Sequence, residues 1–210
     1  MPKIAVLILY TQGWQDIARI VIPNAQKYAD KHGYELLVKK YPEPYLSDFG
    51  YKKLEQIRGI FEHGDADIVW SLDLDTLITN HNYKVEDYLK EGSDFFITKD
   101  VNGVNGGSFI VRNTKWSMEF MDWLLGKKGE EKMYCEQDAI RAYMEEYPVS
   151  PVCVVGHPSF NSYHYSLYPQ FENITSEEAG NWYEGNFVLH LPGLGIEQRI
   201  EILKNTKIIE

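Results

Sequence analysis

Two aspartates, Asp73 and Asp75, close the apolar run Ile68-Val69-Trp70-Ser71-Leu72. That run is short, β-branched and aromatic, and it reads as a buried strand. Residues two apart in an extended chain point to the same side, so the spacing predicts two carboxylates facing one point where the strand leaves the core. Carboxylates held that close repel unless a cation lies between them. A hard divalent ion, Mg²⁺ or Mn²⁺, meets that need and usually shares its shell with substrate phosphates. The pattern points to a metal-bridged diphosphate site, and an acidic turn after a strand is the plainer alternative for so short a motif. Three further groups have chemistry to offer. His190, in the apolar run Asn186–Gly193, is either a hydrogen-bonded core histidine or a neutral imidazole completing the aspartate shell. Gln137 shares a stripe with Met133, Ile140 and Met144, so it is either a satisfied core amide or a group looking into a pocket, with Glu136 beside it. Gly106 and Gly107 either make a simple hairpin turn or let a ligand approach the backbone closely.

The surrounding pattern supplies elements to position these groups. Ile4–Tyr10 reads as a buried strand. A helix from Trp14 carries Ile17, Ile20, Val21, Tyr28 and Ala29 at helical spacing; Pro23 should kink or split it, and Gly33 should end it. Tyr34–Tyr41 reads as a strand and Pro42–Pro44 as a loop. Tyr51–His63 is a second helix, and the strand ending at Asp73 follows it. Strand, helix, strand, helix, strand implies parallel strands with helices on their faces. Ligands of such sheets bind at the carboxyl ends of the strands, where Thr11, Gln12, Asp73 and Asp75 fall. Further along come strands at Leu77–Ile78 and Asp94–Lys99, a glycine-rich turn and strand over 101–112, and a helix capped by Asn113. A helix over 130–146 and a strand at Val152–Val155 complete the pattern before an aromatic segment over 158–171. Its rings (Phe160, Tyr163, Tyr165, Tyr168, Phe171) either fill space or offer flat faces to a sugar. The tail to Glu210 is amphipathic.

The chain has 210 residues, 44% hydrophobic and 25% charged, with a formal net charge of -10. This length suits one globular domain, and the charge argues against a nucleic-acid or anionic-membrane partner reached through a basic face. The apolar start is too short for a signal peptide or a membrane span. Cys135 and Cys153 lack zinc-like spacing and fit free thiols in a reducing compartment. The expectation is a soluble cytoplasmic protein of bacterial or viral origin.

Five segments, in order, resemble glycosyltransferase family 34, which includes fungal α-galactosyltransferases and plant xyloglucan xylosyltransferases. They are Asn24–Tyr34 with its His-Gly-Tyr turn; Lys52-Lys-Leu with Trp70–Asn80; Asn105–Ser117; Glu136-Gln-Asp-Ala-Ile140; and Gly185–Gly193. The resemblance implies a single GT-A domain over 1–210, α/β with a mainly parallel central sheet and a small antiparallel part. Its nucleotide-binding part would span about 1–100, and its acceptor and catalytic part about 101–195. The implied activity is retaining transfer of galactose, xylose or glucose from a UDP-sugar to a carbohydrate or glycoconjugate acceptor, with Mn²⁺ or Mg²⁺. By position, Asp73, Asp75 and His190 would hold the metal, and Glu136 and Gln137 would sit near the anomeric carbon. Thr11, Gln12, Lys52, Leu72, Asp73, Asn105, Gly106, Gly107, Ser108 and Gly193 would line the donor. The family commonly carries a Golgi membrane anchor, which this sequence does not display. It also carries a cysteine and a basic residue after the histidine motif; those positions read Leu194 and Gly195, with Arg199 the nearest cation. Two other readings remain. Asp73-Leu-Asp-Thr-Leu77 fits in part the signature of haloacid-dehalogenase-like phosphatases, with Asp73 as nucleophile, although Thr76 falls one place early. A non-catalytic nucleotide-sugar-binding protein on the same fold is the third.

Overall fold

A computed structural model describes residues 2–43, 48–157, 159–171 and 173–210. Pro44 of the expected first loop and Pro158 at the head of the aromatic segment lie outside the described residues. Strand β1 (Ile4–Thr11) is buried at every position. Its two faces feed two separate cores: Ile4, Val6, Ile8 and Tyr10 on one side, Ala5, Leu7 and Leu9 on the other. A strand covered on both faces has no polar side to show, which is why it reads as a continuous apolar run.

A 3₁₀ turn, Gln12–Trp14, leads into helix α1 (Gln15–His32). Pro23 does not split this helix. The proline is exposed, and so is Arg19, whose carbonyl loses its intrahelical donor and can turn to water instead. Gly33, at φ 72°, ends the helix with its N–H on the Ala29 carbonyl. Next come β2 (Glu35–Tyr41), α2 (Phe49–His63) and β3 (Ile68–Leu72), followed by β4 (Thr76–Ile78), β5 (Phe95–Asp100) and β6 (Gly103–Arg112).

Helix α3 (Lys115–Gly126) is capped by Thr114, not by Asn113. The Thr114 hydroxyl accepts the Ser117 N–H at 3.1 Å, while the Asn113 amide donates to the Phe61 and Ala66 carbonyls at the far end of α2. Helix α4 (Glu136–Glu146) begins six residues later than the periodicity predicts, at 136 and not 130. Gly129 and Lys132 both take positive φ (86° and 67°), which no continuous helix allows. The Asp138 carboxylate then accepts the N–H groups of Tyr134 and Cys135 and starts the helix there. Met133 is therefore off the helix, and Gln137 lies in its first turn. Strands β7 (Val152–Val155), β8 (Ser162–Tyr163) and β9 (Val188–His190) and helix α5 (Ile196–Asn205) complete the chain.

Six strands form one sheet in the order β2-β1-β3-β6-β5-β7, with only β6 running against the rest. Three more form a small sheet, β4-β9-β8, whose β4–β9 pair is antiparallel. Because β6 is reversed, its first half lies at the edge where β1 and β3 end. In the β5–β6 ladder the pairing jumps from Ile97↔Phe109 to Thr98↔Asn105. Gly106, Gly107 and Ser108 are thereby bulged out of register with β5, beside the end of β3. Phe160, Tyr163 and Tyr165 are buried, so these rings fill space and offer no sugar-binding face.

Candidate functional site

The aspartates converge through a turn, not along an extended strand as their spacing suggests. Asp73–Thr76 is closed by the Thr76 N–H on the Asp73 carbonyl at 3.1 Å, and the Thr76 hydroxyl adds a bond to the same oxygen at 2.6 Å. Leu74 between them points into the core. Thr76 pairs with His190 across the small sheet, which brings the third group in. Ligand atoms of Asp73, Asp75 and His190 all lie within 4.8 Å of one another. His190 Nε2 is 3.3 Å from Asp75 Oδ1. Two carboxylate oxygens and an imidazole nitrogen form a donor set that suits Mn²⁺ or Mg²⁺, so the residues present fit the expected ion.

Each aspartate also has its own cation. Lys53, on α2 and 2% exposed, sends its Nζ to Asp73 Oδ1 at 2.8 Å and to the Gly106 carbonyl at 2.9 Å, and it forms an ion pair with Glu136. Arg199, on α5, reaches Asp75 Oδ2 at 3.0 Å and the Leu191 carbonyl at 2.8 Å, with its guanidinium stacked over Trp14 at 4.7 Å. Burial pushes the Asp73 carboxyl up, and Asp75 and Glu136 add to the rise against the pull of Lys53. Burial acts the same way on Asp75, but His190 and Arg199 beside it hold its carboxyl below the ordinary value. Burial alone would depress Lys53; the Asp73 and Glu136 carboxylates reverse this and raise it, so the ammonium stays charged.

The glycines are set by close approach. A Cβ on Gly107 would lie 2.2 Å from His190 Cε1, and one on Gly50 would lie 1.5 Å from Glu136 Oε2. Gly106 donates its N–H to Gln137 Oε1 at 2.8 Å, so the Gln137 carbonyl is tied to the glycine strand. A cavity of about 320 Å³ opens between Thr11, Trp14, Phe49, Gly50, Lys53, Asp73, Asp75 and Glu136. A second, of about 250 Å³, shares both aspartates and Glu136 and adds Asn105, Gly106, Gly107, Gln137, His190 and Gly193.

Most of the expected residues therefore meet at one place, and four do not. Leu72 is 1% exposed and packs in the core. Ser108 is fully buried and accepts the Trp70 indole N–H at 3.0 Å. Lys52 lies on the outer side of α2, paired with Glu55 at 2.7 Å, and its neighbour Lys53 enters the site instead. Gln12 is exposed in the 3₁₀ turn, with its backbone N–H on the Glu43 carbonyl. Lys53, Trp14 and Asn161 are the residues that sequence reasoning passed over. Lys53 had a signal, because it falls in the i, i+4, i+8 row of Ile57 and Phe61, both buried.

A profile of the galactosyl transferase GMA12/MNN10 family matches residues 4–92 and 90–201. The chain belongs to that family. Similar curated proteins include the probable alpha-1,6-mannosyltransferase MNN10 of Saccharomyces cerevisiae, 28% identical over 70% of this chain and 50% of that protein. An uncharacterised alpha-1,2-galactosyltransferase of Schizosaccharomyces pombe is 25% identical over 86% of this chain and 57% of its own length. A probable xyloglucan 6-xylosyltransferase of rice is 26% identical over 61% of this chain and 31% of its own. The chain spans about half the length of the yeast relatives it matches. Among solved structures, a glycosyltransferase involved in glycosylation of the major capsid of PBCV-1 superposes with a TM-score of 0.77 at 16% identity, covering 97% of this chain and 99% of that one. The galactosyltransferase LgtC, in complex with donor and acceptor sugar analogs, gives 0.56 at 11% identity, covering 98% and 97%. The fold is GT-A, as the five segments imply. The curated relatives named here are fungal and plant proteins, and they lend no support to a bacterial or viral cytoplasmic origin. Among the described residues no helix is long and apolar enough to cross a membrane. The family match replaces the phosphatase reading, and Asp73 is engaged by Lys53.

Proposed function

We propose that this chain carries a metal-dependent, retaining glycosyltransferase activity. It would move a hexose or pentose from a nucleoside-diphosphate sugar, with UDP as the nucleotide, to a carbohydrate acceptor. The observation that carries this reading is the Asp73–Asp75–His190 cluster between the two cavities, with Glu136 and Gln137 facing the second. Family membership and the named transferase activities of the relatives support it. Those names span mannosyl, galactosyl and xylosyl transfer, so galactose, xylose, glucose and mannose are the donor sugars to try.

Asp73, Asp75 and His190 would hold Mn²⁺ or Mg²⁺, and the ion would supply Lewis-acid stabilisation of charge on the leaving diphosphate. The first cavity, walled by Thr11 and Trp14 at the end of β1, suits the nucleotide; the second suits the donor sugar and acceptor. This assigns nucleotide binding to about 1–100 and acceptor binding and catalysis to about 101–195. Lys53 holds Asp73 and Glu136 in fixed positions. Glu136, buried against Gly50 and Gly106, presents a carboxylate beside the sugar site. Gln137, with its Oε1 on the Gly106 N–H, keeps a second lone pair for positive charge at the anomeric carbon.

The test is a screen of UDP-galactose, UDP-glucose, UDP-xylose and GDP-mannose for Mn²⁺-dependent nucleotide release, with calorimetry of Mn²⁺ and UDP binding. Release that vanishes in Asp75→Ala is the expected result. No Mn²⁺-dependent binding of UDP or GDP would sink the reading, and binding without turnover would turn it into a nucleotide-sugar-binding protein.

A further inference from the structure

Behind His190 run two linked amides, Asn161 in the core and Asn105 at the edge of the second cavity. His190 Nδ1 lies 2.8 Å from Asn161 Oδ1. Asn161 is fully buried, and its Nδ2 reaches Thr98 Oγ1 at 3.0 Å and Asn105 Oδ1 at 3.2 Å. Asn105 Oδ1 accepts the backbone N–H of Gly107 at 2.9 Å, and its Nδ2 donates to Asp100 Oδ2 at 3.2 Å.

The proton positions follow from the two ends of this chain. A backbone N–H can only donate and a carboxylate can only accept. Gly107 and Asp100 therefore fix which end of the Asn105 amide is oxygen. The group of Asn161 that faces this oxygen must then be its NH₂. The other end of Asn161, turned to His190, is a carbonyl oxygen and can only accept. Nδ1 of His190 must therefore carry a proton, which leaves Nε2 as the nitrogen facing Asp75.

We propose that Asn161 is a positioning residue that presets His190 as an Nε2 metal donor and ties it to the Gly106–Gly107 strand. The inference rests on the metal reading of the Asp73–Asp75–His190 cluster. Nε2 lies only 3.3 Å from an Asp75 oxygen, so a cation seated between them would be shared by the ring nitrogen and the carboxylate. Partners of this kind orient a ligand ring and fix its tautomer. The same amide touches the strand whose glycines floor the sugar side of the site, so the metal ligand and that floor move as one unit.

The experiment uses the full chain. Ring ¹⁵N–¹H correlation spectra of His190, without metal and with saturating Mg²⁺, should show Nδ1 protonated in both states and Nε2 without a proton once Mg²⁺ is bound. Calorimetry with Mn²⁺ should show affinity about 10- to 100-fold weaker in Asn161→Ala, the usual cost of removing such a partner. Asn161→Asp, which keeps an acceptor for Nδ1–H, should lie closer to wild type. An unprotonated Nδ1 in the wild-type spectrum overturns the proposal without need of any variant, and so does undiminished Mn²⁺ affinity in a folded Asn161→Ala. A wild-type chain that keeps Nδ1 protonated but binds neither ion supports the amide relay and refutes the metal reading instead.

Discussion

Replacing Lys53 with methionine tests whether one buried ammonium lets two carboxylates share the floor of the cavity. Methionine keeps most of the length and apolar contact of the side chain, so the change isolates the charge. Lys53 Nζ lies 2.8 Å from Asp73 Oδ1 and forms an ion pair with Glu136, whose side chain is only 7% exposed. Removing one partner of a buried pair costs about 3–5 kcal/mol, because the remaining charge is left uncompensated. The Asp73 side chain is 30% exposed to the cavity, and water there can screen it, so the expected loss lies at the low end, about 3 kcal/mol. For a domain of this size each kcal/mol moves Tm by about 2–4 °C, which gives a fall of about 6–12 °C. The pH of the assay matters. The folded-state pKa of Lys53 is raised, so its contribution is whole below the ordinary 10.5 and is lost only as pH climbs through the raised value. Urea and thermal melts of the metal-free protein at pH 7 therefore see the full effect. A second substitution, Glu136→Gln in the Lys53→Met background, removes the orphaned charge and should recover about half of the loss, a coupling that a double-mutant cycle measures. A Lys53→Met protein within about 1 kcal/mol of wild type would refute the reasoning.

Three other changes have definite outcomes. Gly107→Ala puts a methyl group 2.2 Å from His190 Cε1, so calorimetry should show Mn²⁺ affinity weakened by about 10-fold or more as the ring is displaced; unchanged affinity would contradict the close approach. Pro23→Ala should raise the unfolding free energy from urea melts by about 1–2 kcal/mol, because an exposed helix-interior proline lacks a donor and its stiffening of the unfolded chain offsets only part of that cost. His81 is 1% exposed, its Nε2 faces the Asn24 amide NH₂ at 3.0 Å, and burial lowers its pKa from the ordinary 6.5. A depressed histidine contributes stability that is whole above 6.5 and shrinks as pH falls through it toward the lower folded value. Melts at pH 7.5 and 5.5 should therefore show a loss that His81→Gln reduces, and equal slopes in the two proteins would count against it.

Much of the fold was legible because its signals are local. Apolar runs such as Ile4–Tyr10 and Ile68–Leu72 are short and rich in β-branched residues, which favours strands covered on both faces, and αL glycines at 33 and 64 end α1 and α2 where the chain places them. Boundaries failed where a local bond outvoted periodicity. The row Met133, Gln137, Ile140 and Met144 is real as spacing, yet Lys132 at positive φ and the Asp138 cap cut it short. The turn at Asp73–Thr76 brings the carboxylates together by a route that the extended-chain argument did not contain. Asn161 lay beyond reach, because nothing in Phe160-Asn161-Ser162 says that an amide will sit between a histidine 29 residues away and the bulge of β6.

The two cations are the more instructive case. Lys53 shares a helical row with Ile57 and Phe61, and Arg199 shares one with Leu203, all of them buried. A lysine or arginine on the buried row of an amphipathic helix must find an anion there, since an unpaired charge would not be held out of water. The acidic pair at the end of β3 offers two, and the helices take one each: Lys53 on Asp73, Arg199 on Asp75. Counting Glu136, three carboxylates then face two fixed cations, which leaves one net negative charge beside a histidine. On the proposed reading, that balance would favour a cation in the pocket. The pairing explains why the aspartates can be buried at all, and it makes the charged rows of α2 and α5 as much a part of the candidate site as the residues that would touch a metal.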